Sequence, residues 1–65
     1  MFEIEKVSAK YYRLWEGDEH IGDFEWYGEV YIFNYIDCIY QNTNPSIFPF
    51  ILKTLENLNN GVVYE

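Results

Sequence analysis

Basic residues are scarce in this chain and are missing from its middle. The 65 residues include four lysines and arginines against eleven acids, which gives a formal net charge of −7. Seven of the acids lie between Leu14 and Leu52, a stretch without a single lysine or arginine. Because proteins bind the nucleic-acid backbone by neutralising phosphates with Lys and Arg, direct binding to DNA or RNA is not expected.

Cysteine and long apolar runs are also scarce. Cys38 is the only cysteine, which excludes a disulfide within the chain and is typical of a protein of a reducing compartment. The apolar run 47–52 is interrupted by Pro49 and is far shorter than the ~20 residues of a membrane-spanning helix. The sequence therefore predicts a cytoplasmic protein that neither enters a membrane nor depends on disulfides.

Aromatic residues are abundant instead. Seven tyrosines, five phenylalanines and two tryptophans make up 22% of the chain. A domain of this length buries only roughly 60% of the surface that its unfolded chain exposes, and each ring can bury on the order of 150–250 Å². We therefore predict one domain over residues 1–65, held together mainly by aromatic packing.

Alternation of apolar and polar residues predicts strands in the first part of the chain. Residues 2–7 show the two-residue period of a half-buried strand. Residues 10–16 form a second strand, or continue the first beyond a turn or bulge at Ser8-Ala9. Gly17-Asp18-Glu19 then supplies turn residues, so that the run 20–27 completes a hairpin.

A longer apolar run and one helix pattern follow. Residues 29 to about 40 are rich in Val, Ile, Tyr and Phe, which predicts a strand in the centre of the sheet. The helix begins with Ser46 as N-cap and Pro49 in its first turn, or with Asn44 as cap, and it stops at Asn60-Gly61. Its predicted apolar stripe consists of Phe48, Ile51, Leu52, Leu55 and Leu58.

These elements predict an α+β fold. A three- or four-stranded antiparallel sheet carries one C-terminal helix on one of its faces. Residues 62–64 either return as a short edge strand or pack as a tail. One helix cannot cover all the rings, so some of them are expected on the open face or at an interface.

Strand alternation also gives the acids a location. Asp23 and Glu25 share a face about 7 Å apart, because residues i and i+2 of a strand point to the same side. Phe24 and Trp26 point the other way, toward the core, and the two glutamates of the first strand face outward as well. The predicted partner-binding carboxylates are Glu16, Asp18, Glu19, Asp23, Glu25 and Glu29.

A surface of one sign suits electrostatic steering toward a partner of the opposite sign. The basic grooves of nucleic-acid-binding proteins are its natural targets, with carboxylates in the place of phosphates. Aromatic side chains would add desolvated anchors, because aromatic burial supplies binding hot spots while charge supplies rate and specificity. The candidate anchors are Tyr12, Trp15 and Tyr27, followed by Tyr31 and Tyr35.

The whole chain resembles a known group of proteins in character. Very short, acidic, aromatic-rich chains are found among the phage and mobile-element inhibitors of host defence, and the DNA-mimicking anti-CRISPR and anti-restriction proteins are the nearest of these. The resemblance rests on the acidic segment Glu16–Glu29 and on no motif, and the group shares no single fold, so no residue role is transferred. It implies a stoichiometric inhibitor in the host cytoplasm that binds a basic DNA-recognising protein, such as a Cas subunit.

Catalysis and metal binding are not expected. Small-molecule sites need a concavity of several hundred Å³, which a chain of this size rarely encloses. Asp18-Glu19-His20 with Asp23 lacks the spacing of a calcium or zinc site, and Cys38 falls in the most apolar run, where a thiol is usually inert. The sequence predicts no enzyme, no cofactor and no metal.

A second function remains open beside DNA mimicry. The chain can equally be a non-enzymatic interaction module or a homodimer that pairs through an exposed strand edge or its surplus aromatic face. In that case the acids only keep a small, aromatic-rich domain soluble.

Overall fold

The computed structural model describes residues 1–36 and 45–64. Four antiparallel strands form one sheet in the order β1-β2-β3-β4, and a helix follows them. The elements are β1 (Phe2–Ser8), β2 (Tyr11–Glu16), β3 (Glu19–Trp26), β4 (Tyr31–Tyr35) and α1 (Ile47–Asn59). The predicted α+β arrangement with one C-terminal helix is therefore confirmed.

Tight turns connect the first three strands. Ala9 and Lys10 separate β1 from β2, so the first two apolar runs are two strands and not one bent strand. Gly17 and Asp18 separate β2 from β3, which confirms the predicted hairpin. Gly17 has a φ of +60°, which suits the first position of the two-residue turns that join antiparallel strands.

One extra residue interrupts the pairing of β2 with β3. Trp15 lies opposite His20, but its neighbour Leu14 lies opposite Gly22, so Ile21 is the inserted residue of a β-bulge. Ile21 and Phe24 are both fully buried although they are three residues apart. A regular strand would send two such residues to opposite faces, and the bulge brings both into the core.

β4 differs from its prediction. It was expected to run from residue 29 to about 40 in the centre of the sheet, but it spans Tyr31–Tyr35 and pairs only with β3 among the described residues. The physical reason is topological, because consecutive hairpins add each new strand beside the last one. Positions 37–40 of the predicted strand lie outside the described residues, as does Cys38.

Local chemistry sets both ends of α1. Ser46 occupies the N-cap position, although its side chain makes no capping hydrogen bond, and Pro49 lies in the first turn. At the other end Gly61 has a φ of +86°. The Val62 N–H donates to the Asn57 carbonyl at 2.9 Å and the Gly61 N–H donates to Leu58 at 3.2 Å, the two bonds of a Schellman motif. The predicted start at Ser46 and stop at Asn60-Gly61 are confirmed, and the alternative cap Asn44 lies outside the described residues.

The buried stripe of α1 is rotated relative to its prediction. Ile47, Ile51, Thr54 and Leu58 are the buried helix residues, whereas the predicted core residues Phe48 and Leu52 are 56% and 67% exposed. In this orientation of α1, Phe50 contacts Phe2 of β1, with 5.2 Å between the centroids of the two tilted rings. The Thr54 hydroxyl is satisfied by donating to the Phe50 carbonyl at 2.8 Å, so its burial costs little.

The core lies between the sheet and α1, and the tail closes one end of it. The buried apolar residues are Tyr12, Leu14, Ile21, Phe24, Ile47, Ile51 and Leu58. Residues 62–64 form no strand, and Tyr64 packs edge-on against Tyr12 at 6.1 Å. The Asn57 side chain donates to the Tyr64 hydroxyl at 2.9 Å, so the tail is fixed by packing and by one hydrogen bond.

Candidate protein-binding face of the sheet

The side of the sheet that faces away from α1 carries most of the polar side chains of the strands. Strand register places each of them beside a partner on the neighbouring strand, with Arg13 between Glu5 and Asp23 and with Tyr11 opposite Glu25. We call this side the open face. Its residues are Glu3, Glu5, Tyr11, Arg13, Trp15, His20, Asp23, Glu25, Ile32 and Asn34.

Asp23 is the best-held carboxylate of the open face. Its Oδ2 accepts a hydrogen bond from the Tyr11 hydroxyl at 2.6 Å, and its Oδ1 lies 2.8 Å from Nε2 of His20. The side chain is 16% exposed. Both oxygens therefore have partners from within the chain, and the carboxylate has one fixed orientation.

Glu5 is the second partnered carboxylate. It accepts a hydrogen bond from the Trp15 indole at 2.8 Å and lies 3.9 Å from the Arg13 guanidinium. Trp15 also stacks on His20, with 4.9 Å between ring centroids and an interplanar angle of 21°. Together with the contacts of Asp23, these contacts form one network that connects β1, β2 and β3 and holds the indole ring of Trp15 in place.

Arg13 is the only formally positive residue of the open face. It lies on β2, between the carboxylates of β1 and those of β3. Its Nε is buried without a hydrogen-bond partner among the described residues. Arg13 directly precedes the base-free stretch that begins at Leu14, and nothing in the sequence indicates that the hairpin folds it back against the acids of that stretch. The open face is therefore four carboxylates around one guanidinium and not a continuous acidic surface.

The predicted acids occupy three separate places. Asp23 and Glu25 lie on the open face as predicted. Glu16 and Glu19 occupy opposite positions on β2 and β3, on the side of α1. Asp18 lies in the β2–β3 turn, and Glu29 follows β3 at the opposite end of the sheet. These ends are separated by the length of β3, roughly 23 Å at about 3.3 Å per residue. The six residues therefore do not form one surface.

The first three candidate anchors also lie in separate places. Trp15 lies on the open face, half-buried and held by Glu5 and His20. Tyr27 is 67% exposed but lies beyond the end of β3, beside Glu29. Tyr12 is 3% exposed and belongs to the core, so it is not available to a partner and its prediction as an anchor is wrong. Of the three, only Trp15 is linked to Asp23, through its stacking on His20.

Sequence reasoning missed Tyr11 and His20 as partners of Asp23. One signal for this arrangement is present in the sequence. Ile21 and Phe24 are both strongly apolar, and their spacing of three residues is out of phase for a regular strand. A bulge between them shifts the register by one residue, which places Asp23 beside Arg13 and near Tyr11.

The pKa of Tyr11 provides a test of this network. Its hydrogen bond to the Asp23 carboxylate raises the Tyr11 pKa above the ordinary value of 10.0. The native state therefore holds this proton more tightly than the unfolded chain, so the stabilisation is complete below about pH 10 and is lost as the pH rises through the raised pKa.

We expect Tyr11→Phe to lower the free energy of unfolding by about 1 kcal/mol at pH 7, the scale of one hydrogen bond. The difference in the free energy of unfolding between wild type and variant, which we call the gap, should narrow above about pH 10. Urea titrations followed by tryptophan fluorescence, from about pH 7 to above about pH 10, measure this gap. Tyr27→Phe is the matched control, since Tyr27 is exposed and its hydroxyl has no hydrogen bond among the described residues. A gap that stays constant with pH would contradict the assigned role of Asp23.

The described residues enclose no pocket, and they contain no group of three His, Cys, Asp or Glu side chains placed to hold a metal ion. Their helix lacks the length and apolar character needed to cross a membrane. The open face therefore offers a ligand a set of charges at fixed positions and one indole ring whose orientation is fixed.

Comparisons with protein-family models, with curated proteins and with solved structures find no match for this chain. The open face and the charge of the chain are therefore the features that bear on its function.

Proposed function

We propose that this protein is a non-enzymatic binding protein whose open face docks on the basic surface of a nucleic-acid-binding protein and blocks that surface. The main observation in support of this proposal is the arrangement of the open face. Two rows of carboxylates, on β1 and on β3, flank a central strand that presents Tyr11, Arg13 and Trp15. The net charge of −7 adds a long-range attraction toward a basic partner.

The spacing of the rows supports mimicry of a phosphate backbone. Two residues apart on one strand, Glu3 and Glu5 are separated by about 7 Å, and so are Asp23 and Glu25. The two rows are two strands apart, about 9.6 Å at the usual spacing of 4.8 Å between strands. Anions at regular intervals on a rigid sheet can meet lysines and arginines that are arranged along a nucleic-acid groove.

The four carboxylates have different roles in this proposal. Glu5 and Asp23 are held by partners within the chain, which fixes the geometry of the face before binding. Glu3 and Glu25 have no hydrogen bond or ion pair among residues 1–36 and 45–64, so their charges are available to a partner. Trp15 is already oriented, which lowers the entropy cost of using it as an anchor.

The biological class that we propose follows from the resemblance to small acidic inhibitors of host defence. A stoichiometric inhibitor needs no pocket, cofactor or metal, and a compact domain with one binding face suits this task. Its partner would be a DNA-recognising protein of the cytoplasm, such as a Cas subunit or a restriction component, whose basic groove the open face occupies.

Reversing one carboxylate of the open face tests the proposal. We expect Glu25→Lys to weaken the complex about tenfold or more, because a lysine facing a basic groove adds repulsion where there was attraction. The matched control is Asp18→Lys, which makes the same change of charge in the β2–β3 turn, at the other end of β3 from Glu25, and should weaken binding by less than about threefold. Partners are captured from the native host, purified, and titrated at low and high salt with DNA as competitor.

The pattern across the two variants decides the outcome. Loss of binding with Glu25→Lys alone, competition by DNA and weakening with salt support the proposal. Equal losses in both variants mean that only net charge matters, and no loss in either means that the acids serve solubility. Asp23 is left unchanged, since replacing it would also break its contacts with Tyr11 and His20.

A second candidate function is pairing through the outer side of α1. Phe48 and Leu52 lie one helical turn apart and are 56% and 67% exposed, which is unusual for two large apolar residues on one helix face. An apolar contact of this kind persists or strengthens as salt rises, whereas docking of the open face weakens. The same salt series therefore separates the two functions.

A further inference from the structure

The two outer edges of the sheet differ in their protection. At the β4 edge the Tyr31 N–H donates to Oδ1 of Asn59 at 2.7 Å, and Nδ2 of Asn59 donates to the Tyr31 carbonyl at 3.5 Å. The asparagine amide at the end of α1 therefore takes the place that a peptide group of another strand would occupy. This closes the β4 edge to further pairing at Tyr31.

The β1 edge has no such cover in the part of the chain that the structure describes. β1 is seven residues long and pairs on one side only, with β2. No other backbone hydrogen bond involves it among the described residues. From Phe2 to Lys6, before the register shift near Val7, alternate N–H and C=O groups of β1 therefore point outward, and such an edge is a template for one more strand.

The side chains of β1 select which strand can be added. Glu3 and Glu5 lie on the open face, and Phe2 and Ile4 lie on the side of α1. A second copy of β1 added antiparallel about Ile4 would place Glu3 opposite Glu5 twice, and one centred on Glu5 would place two Glu5 side chains opposite each other. Like charges directly opposite destabilise a strand pair, so these two registers of self-association are disfavoured.

We propose that β1 binds an extended segment of the basic partner as an additional strand of the sheet. The segment alternates basic residues, which lie opposite Glu3 and Glu5, with apolar residues, which lie beside Phe2 and Ile4. This inference rests on the proposed function, because the added strand extends the open face by one row of cations. Main-chain hydrogen bonds then provide affinity, and the alternation provides specificity.

A short peptide tests strand addition without the natural partner. The probe is an eight-residue peptide of alternating lysine and valine with blocked ends, and its control contains the same residues as one block of lysines and one block of valines. Amide hydrogen exchange of the full-length protein is measured by NMR with each peptide. We expect the alternating peptide to slow exchange of outward-facing β1 amides about fivefold or more, the scale of one added interstrand hydrogen bond, and the block peptide to leave them unchanged.

A charge swap completes the test. Glu3→Lys should weaken binding of the lysine–valine peptide about two- to fivefold and should improve binding of a glutamate–valine peptide, since Glu3 is exposed and faces the added strand. Equal protection by the block peptide, protection of β4 in place of β1, or pairing of β1 with a second copy without peptide would each overturn the inference. If the β1 amides stay unprotected while Glu25→Lys still loses partner binding, strand addition is overturned. Docking of the open face then stands without it.

Discussion

Replacing Phe24 by alanine is expected to leave most of the protein unfolded at 25 °C. Phe24 is fully buried, it lies opposite Tyr12 and Phe33 in the sheet, and its ring centroid is 4.8 Å from that of Phe33. Truncating a buried Phe to Ala costs about 3–5 kcal/mol. A single core in a domain of this size rarely supplies more than about 3–5 kcal/mol of net stability, so the loss is comparable to the total.

The control for this variant is Phe48→Ala. Phe48 is 56% exposed on the outer side of α1, and its truncation should lower the free energy of unfolding by less than about 1 kcal/mol. Circular dichroism and urea titrations measure both variants. Similar losses in Phe24→Ala and Phe48→Ala would contradict the observed rotation of α1 and would favour the stripe predicted from the sequence.

Gly22→Ala is expected to produce the second large loss. Gly22 is buried between β2 and β4, and a Cβ placed on it would lie 2.5 Å from Cζ of Phe33 and closer still to the carbonyl oxygen of Asn34. The carbonyl belongs to the backbone of the paired strand, so the clash cannot be relieved by a side-chain rotation alone. Overpacking of this kind costs about 1–3 kcal/mol and more where backbone must move.

Gly28→Ala is the matched control for Gly22→Ala. Gly28 has a φ of +85° and open space where its Cβ would be, so the variant experiences only the backbone strain of a left-handed residue, about 1–2 kcal/mol. Gly22 is followed directly by Asp23, and Gly22→Ala should therefore also disturb the Asp23 resonances of the open face in NMR spectra, which Gly28→Ala should not. Equal losses without this local disturbance would show that β4 does not approach Gly22 closely.

Much of the fold could be predicted because its signals are local. The two-residue period of β1 and of residues 23–26, the turn at Gly17-Asp18 and the helix end at Gly61 each depend on residues next to one another in sequence. The outward direction of Asp23 and Glu25 was predictable for the same reason, since alternation within one strand decides it.

The rotation of α1 and the position of β4 could not be predicted in this way. Two overlapping apolar stripes are present on α1, one through Phe48 and one through Ile47, and the choice between them depends on contacts such as Phe50 with Phe2. These residues are far apart in sequence, and their packing is decided only when sheet and helix meet. The same holds for Asn59, whose contact with Tyr31 closes the β4 edge.

The sequence by itself determined the strong negative charge and the α+β class, because these follow from composition and local period. Only the tertiary structure decided which side chains meet on the open face. A regular hairpin from Gly17-Asp18 would pair Asp23 with Tyr12, whereas the observed register pairs Asp23 with Arg13. The physical reason is the bulge at Ile21, since burying both Ile21 and Phe24 stabilises by about 1.5–3 kcal/mol for each side chain, more than the about 0.5–1.5 kcal/mol of one interrupted strand hydrogen bond.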